Sequence, residues 1–324
     1  MESSNDDRGR ASAPTPSARL ARLRHPTATA VLVLTILSAG LIILLWRIRI
    51  GDSAMLYVGV PYVIAVALLV FARNPRTHGL KATYGWLVRT SLWILFSTAL
   101  VLQEGFICVL FFIPIYLLVI TAAYGLIRWV SSVRSRERRL RACLLPSLLL
   151  LSALEGVTPV LTVPTHAVVA ATRVVRVTPE EIRTNLANPP SIDTSANLVL
   201  ALFPMPYAVE TGDLSVGAIH RAHYRYHRWF FTNTHEGTTT LRIAESTPTR
   251  LAAQVIWDSS YLAKYLAVHE VVLEMVPRAD GRTAVTIAVD FDRKLSPAWY
   301  FSPLEAYAVR RMANHLIQEV LADG

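Results

Sequence analysis

Long apolar runs dominate the first half of the chain, and shorter alternating runs dominate the second. The first run, "TATAVLVLTILSAGLIILLW" (27–46), has about the ~20 residues that cross a bilayer core. Further runs occupy 53–72, 86–103, 106–128 and 143–162. Pro61 and Pro114 fall inside two of them, which membrane helices tolerate. Gln103-Glu104-Gly105 alone separates the third and fourth runs, which predicts a tight helical hairpin. The fifth, "CLLPSLLLLSALEGVTPVLT", is interrupted by Pro146 and Glu155, so four or five crossings are expected. Ser38-Ala39-Gly40 resembles a signal-cleavage site, but the apolar run continues through it and predicts a retained anchor.

From residue 166 the pattern changes. "HAVVAATRVVRV" (166–177) predicts a strand. Thr178, Pro179 and Glu181 then form the capping signature of a helix over 178–188. A second short helix is expected within 189–203, and "AIHRAHYRYHRWFF" (218–231) reads as a strand. Strands follow at 239–246, 249–258, 264–276 and 283–291, the last two joined by a turn at Asp280-Gly281. In the last strand Val285, Ile287, Val289 and Phe291 share one face. "SPLEAYAVRRMANHLIQEVL" (302–321) closes the chain as a helix of about 30 Å, with Ser302, Pro303 and Glu305 repeating the capping signature. Leu304, Ala308, Met312, Leu316 and Val320 make its apolar stripe.

Charge sharpens this division. Residues 1–163 carry 17 Lys+Arg and 7 Asp+Glu, whereas 164–324 carry 15 and 16, so the net +9 belongs to the first half. A nucleic-acid-binding domain would carry its own basic face, so that class is not expected. Residues 1–26, polar with five arginines, predict a disordered basic tail. Arginines concentrate in this tail, at Arg73 and Arg76, and between Arg134 and Arg141, while the alternate loops hold only Arg47 and Arg49. Positive charge stays inside, which predicts a cytoplasmic N-terminus. With five crossings the C-terminal domain lies outside; with four it is cytoplasmic. Two cysteines, Cys108 and Cys143, both in or beside apolar runs, imply no disulfide framework.

The order of elements is strand, short helices, antiparallel strands and one long terminal helix. Three stretches refine it: the first strand running into "VTPEEI", the turn and strand of "ESTPTRLAAQV", and "LSPAWYFSPLEAYAV" leading into the last helix. On these, residues 164–324 resemble the START-like (SRPBCC, birch-pollen-allergen-like) helix-grip superfamily, often labelled polyketide cyclase/dehydrase-like. The expected architecture is an α-helical transmembrane region (27–163) followed by an α+β helix-grip domain, a curled antiparallel sheet around a long C-terminal helix. The resemblance implies an apolar or lipid-like ligand between sheet and helix. It also leaves open an enzyme of cyclase/hydratase type on a hydrophobic substrate, or an interaction module with a partner surface around 295–303.

Strand parity gives the candidate ligand-facing residues. They are Tyr224 and Tyr226, Trp257, His269 and Phe291, with Tyr307 and Arg311 on the terminal helix. His269 stands in line with Ala267, Val271 and Leu273, as a hydrogen-bonded core histidine or as a polar contact in a pocket. In the enzyme reading it is the acid–base group, with a tyrosine as partner. Arg311 and His315 lie beside the apolar stripe, solvated or facing a cavity mouth. Asp258 and Asp290 fall on outward parities. On a strand His223 and His227 lie about 13 Å apart, too far to share a metal ion. No nucleophile elbow, phosphate loop, dinucleotide loop or metal motif is recognisable, so no catalytic residue, cofactor or metal is assigned.

Overall fold

The computed structural model describes residues 16–48, 51–71, 80–132, 151–187, 206–210, 212–229 and 232–318. Four helices come first: α1 (Pro16–Arg47), α2 (Val60–Phe71, entered through a π-helical turn, Met55–Gly59), α3 (Leu80–Val101) and α4 (Phe106–Ser132). Helix α1 starts inside the stretch expected to be a tail. The helices pack through Ile42, Leu68, Leu87, Ile94, Tyr116 and Ile120. Their outer faces are apolar as well, with Leu32, Ile36, Val63, Trp93, Leu100 and Leu118 exposed. A helix apolar on all sides suits a lipid surround. Ala82–Val101 and Cys108–Trp129 are long and apolar enough to cross a membrane, and the apolar stretches Val31–Arg47 and Met55–Leu69 are shorter.

The expected fifth run lies partly outside the described residues. Its described end opens on two helical residues, Leu151 and Ser152, and continues as turns and a 3-10 turn (Pro159–Leu161) up to the first strand. Gly156, at φ +79°, and Pro159 break it there. The expected helix within 189–203 also lies outside the described residues.

Seven antiparallel strands follow: β1 (His166–Val175), β2 (Pro206–Glu210), β3 (Ile219–Trp229), β4 (Thr232–Ser246), β5 (Arg250–Asp258), β6 (Leu266–Pro277) and β7 (Thr283–Arg293). Their spatial order is β1-β7-β6-β5-β4-β3-β2, a meander with the first strand returned to the last. Helix α5 (Pro179–Ala187) starts where its capping residues predict. The Glu181 backbone N–H donates to Thr178 Oγ1 at 3.3 Å, and the Thr178 N–H donates to the Glu181 carboxylate at 2.7 Å. Its Ile182 is fully buried under the sheet. Helix α6 (Ala298–His315) lies against β1 and β7 and closes the concave face. Ala171, Ile243, Leu273, Met275, Val285, Ile287, Ala313 and Ile317 fill that core. This is a curled sheet gripping its C-terminal helix.

Helix α6 begins four residues before the expected cap. Ala298 is its first residue, and Pro303 sits within its first two turns. Its most buried positions are Phe301, Glu305, Ala313 and Ile317, one residue round from the expected stripe, of which Leu304 and Ala308 line a cavity and Leu316 packs on the core. Two β-bulges also shift the expected faces. In β6, Val268 pairs with Phe291 and Glu270 with Asp290, which leaves His269 as the extra residue. Upstream of it Val268, not Ala267, opposes the buried Phe291. In β5, Thr240 pairs with Trp257 and Leu241 with Val255, so Ile256 is extra. Trp257 turns outward, and Asp258, expected outside, turns in to accept from Thr239 Oγ1 at 2.9 Å.

Candidate functional site at the junction of helices and sheet

The sheet domain sits on the ends of the helices where α1 finishes and the α3–α4 hairpin turns. Gln103, at φ +55°, makes that hairpin short enough to bring Gly105 under the domain. The Gly105 N–H donates to Tyr261 Oη at 2.9 Å. A Cβ at Gly105 would lie 2.8 Å from that oxygen and 3.2 Å from the Tyr226 ring, so the close approach needs glycine. Glu104 takes Lys264 Nζ at 2.7 Å on both oxygens, and the same ammonium lies 4.9 Å from the centre of the Trp46 ring.

Beside this pair is a cluster of hydroxyl and thiol groups. Tyr265 Oη is 2.6 Å from Cys108 Sγ and donates to Tyr261 Oη at 3.1 Å. The Tyr261 ring stacks on Tyr226, with centroids 4.7 Å apart, and His235 tilts against it at 5.7 Å. Burial pushes both phenols, Tyr261 and Tyr265, well above their ordinary value, so they are neutral donors.

The start of α6 completes the junction. The Ala298 N–H donates to Glu155 Oε1 at 2.7 Å, so a carboxylate from the preceding segment caps the helix. Glu155 also lies 3.7 Å from the buried Arg293 guanidinium, which donates to the backbone carbonyl of Leu295 as well. Tyr300 Oη donates to the Phe111 carbonyl at 2.6 Å, and Phe301 meets the Tyr57 ring at 4.7 Å. The segment 295–303, expected to be a partner surface, is thus largely a contact with the chain's own helices.

Two adjoining cavities lie inside this junction. One, of about 110 Å³, is walled by Tyr57, Cys108 and Phe111 of the helices and by Tyr261, Leu266 and Leu304 of the domain. Glu305 and Ala308 of α6 form its floor. The other, of about 100 Å³, shares Tyr57, Cys108, Tyr265 and Leu295 and extends to Trp46 and Glu104. Glu305 is the unusual member: it is 8% exposed, and neither carboxylate oxygen has a hydrogen-bond partner among the described residues. Burial raises its pKa to about 8, against a weaker pull from Arg293.

The residues predicted from sequence are dispersed. Tyr226 belongs to the junction, and Tyr224 follows it on the inward face of β3, near Thr239 and Asp258. Phe291 is buried. Trp257 and Tyr307 are exposed, at 64% and 58%, Arg311 is exposed as well, and none of the three lines either cavity. His269 is on the outer surface with Nε2 2.9 Å from Asp292, so it is neither a core nor a pocket histidine. His315, expected beside the stripe, is buried. The three histidines of β3 serve separate places: His220 meets the Asp213 carbonyl, His223 meets Glu210, and His227 meets Thr234.

Sequence reasoning missed Glu305, Glu104, Lys264, Tyr261, Tyr265 and Cys108. "YLAKY" (261–265) offered a signal, since two tyrosines four apart flank a lysine in a segment that belongs to no strand. Glu305 offered none, because its position also suits a capping signature.

No protein-family model and no curated protein matches the chain. Solved structures are similar to its C-terminal half, and they are proteins of the START-like, SRPBCC fold. Ara h 8.0201 is 12% identical, with 48% of this chain and 98% of that one covered and a TM-score of 0.31. Zhui aromatase/cyclase from Streptomyces sp. R1128 is 15% identical, covers 48% and 92%, and has a TM-score of 0.32. Norcoclaurine synthase from Thalictrum flavum, in complex with dopamine and hydroxybenzaldehyde, is 17% identical, covers 48% and 89%, and has a TM-score of 0.28. The likeness is one of fold, over about half of this chain.

Proposed function

We propose that this is a multi-pass membrane protein whose helix-grip domain, residues 164–324, holds an apolar small molecule at the membrane surface. The observation that carries the reading is the pair of junction cavities, walled mainly by aromatic and aliphatic side chains with a few polar groups converging on them. Ligand sites are commonly apolar hollows of this kind. The cavities are smaller than the several hundred Å³ expected of a lipid-sized pocket, because the sheet's concave face is filled by α5 and α6. A fragment-sized molecule, or one arm of a larger amphiphile, suits them.

The same contacts support a placement relative to the bilayer. The domain touches the α3–α4 hairpin, whereas α4 ends about 40 Å away at 1.5 Å per residue, next to the arginine-rich segment 134–141. The next described residues are back at the domain end, where Ala153 packs on Val58 and Ile115. Five crossings and an extracytoplasmic domain fit this path and the positive-inside rule.

The test uses the full chain in lipid nanodiscs. Material extracted from the wild type is compared by mass spectrometry with that from Ala308→Trp, which fills the larger cavity. The expected result is a small apolar compound present in the first and lost from the second. The same extract from both proteins would overturn the reading. An enzyme acting through His269 has no support from a surface histidine paired with Asp292.

A further inference from the structure

Among the described residues the junction gathers four carboxylates, and three of them face cations. Glu104 holds Lys264, Glu155 holds Arg293, and Asp52 lies in the field of Lys294 and Lys264. Glu305 is left over. Arg293 is the cation that acts on it, but that guanidinium already serves Glu155 and the Leu295 carbonyl. A buried carboxyl without a partner costs folding free energy, so the missing partner is a property of the site that needs an explanation. Its surroundings supply one. Four aromatic rings, Tyr57, Phe111, Tyr261 and Tyr265, line the same cavity, and Leu266, Leu304 and Ala308 complete an apolar wall.

Resting on the ligand-binding reading above, we propose that Glu305 anchors the ligand and that the ligand is a hydrophobic primary amine. Its ammonium pairs with the Glu305 carboxylate, and its apolar tail fills the junction cavity. A carboxylate set among aromatic faces suits an alkylammonium. The charge-assisted hydrogen bond is about twice as strong as a neutral one, and each ring face adds attraction for a cation. An alcohol would satisfy one carboxyl oxygen and leave the charge balance as it was. Size limits the tail: an apolar cavity of roughly 150 Å³ accepts a benzene ring, and only the two adjoining cavities together, about 100 and 110 Å³, exceed that, so they favour a phenylalkyl or short alkyl amine over a full lipid chain.

Binding moves one proton. With a pKa of about 8, Glu305 is mostly protonated at pH 7 in the empty site. Pairing with an ammonium requires the carboxylate, so its proton leaves to solvent as the amine binds. The other titratable groups facing the cavities are Tyr57, Cys108, Tyr261, Tyr265, Glu104, Asp52 and Lys264, with Arg293 behind Glu305. The two phenols of the domain remain neutral throughout this pH range.

The experiment is calorimetry on the full chain in phosphatidylcholine nanodiscs, with empty nanodiscs subtracted. The probes are 4-phenylbutylamine and 4-phenylbutan-1-ol at pH 7, each in phosphate and in Tris. The expected result is amine binding at least tenfold tighter than alcohol binding, with about one proton released for the amine only. Glu305→Gln brings the amine to the level of the alcohol. The proton count on the wild type decides the matter even if that variant folds poorly. Equal binding of amine and alcohol to the wild type would overturn the Glu305 assignment while leaving the cavity reading intact, and so would an amine preference that survives Glu305→Gln. Binding of neither probe would overturn both.

Discussion

Exchanging Glu305 for glutamine keeps the shape of the side chain and removes its ionisation, and the consequence for stability depends on pH in a direction that can be worked out. In the folded chain the carboxyl stays protonated up to about pH 8, whereas the unfolded carboxyl loses its proton near 4.5. Between these values the folded state holds one more proton than the unfolded state. Stability therefore falls as pH rises through this window, by about 1.4 kcal/mol per pH unit for this group. Across the window the loss is on the order of 3–5 kcal/mol, and glutamine is spared it. For a domain of this size each kcal/mol moves the melting temperature by about 2–4 °C. The assay is thermal unfolding of both proteins in nanodiscs, followed by circular dichroism at pH 5, 7 and 9. The two should melt close together at pH 5, and Glu305→Gln should melt higher by about 6 °C or more at pH 9. Adding 4-phenylbutylamine at pH 9 should narrow that gap by stabilising the wild type more than the variant. A melting difference that does not change with pH would refute the argument, since it would mean that Glu305 has a partner in the folded protein.

Other substitutions test the remaining parts of the junction and the surface. His269→Ala should alter stability by no more than about 0.5 kcal/mol, as for other surface changes, and leave probe binding unchanged; a tenfold loss of affinity would return His269 to the site. A double-mutant cycle on Glu104 and Lys264 should give a coupling of about 0.5–1 kcal/mol that shrinks in 1 M salt. A coupling indifferent to salt would contradict the half-exposed position of Lys264. Alkaline phosphatase fused after Gly324 should be active and a cytoplasm-maturing fluorescent protein there should be dark, and the opposite pair of results would place the domain inside.

The elements that could be read from sequence are those governed by neighbours along the chain. Thr178 and Glu181 fix the start of α5 locally, and the 278–282 turn is closed by its own backbone, with the Arg278 N–H donating to the Arg282 carbonyl at 2.7 Å. Alternation in β7 survives because the strand pairs on both sides. The faces failed where a single residue was inserted. A bulge at His269 or Ile256 changes no composition and leaves no periodic signature, yet it reverses every parity on one side of it. Helix α6 was misplaced for a different reason: its true cap, Glu155, arrives from a segment 143 residues away. The candidate site depends on such meetings. Glu104 and Lys264 are 160 residues apart, and Cys108 and Tyr265 are 157 apart. Each reads from its own neighbours as a surface charge or an apolar filler.

The junction also alters what counts as a unit of this molecule. Tyr57, Cys108 and Phe111 provide one wall of the larger cavity, and Tyr261, Leu304 and Glu305 provide the other, so neither half contains a whole pocket. Cut free, the sheet domain would expose Tyr226, Tyr261, Tyr300 and Phe301 to water, an aromatic patch suited to self-association. Grafted onto unrelated membrane helices, it would meet no glycine where Gly105 lets Tyr226 and Tyr261 settle. The two halves should therefore be inherited, exchanged and engineered together. On the ligand-binding reading proposed above, a change of ligand preference can arise as readily from a substitution on α4 as from one on the sheet.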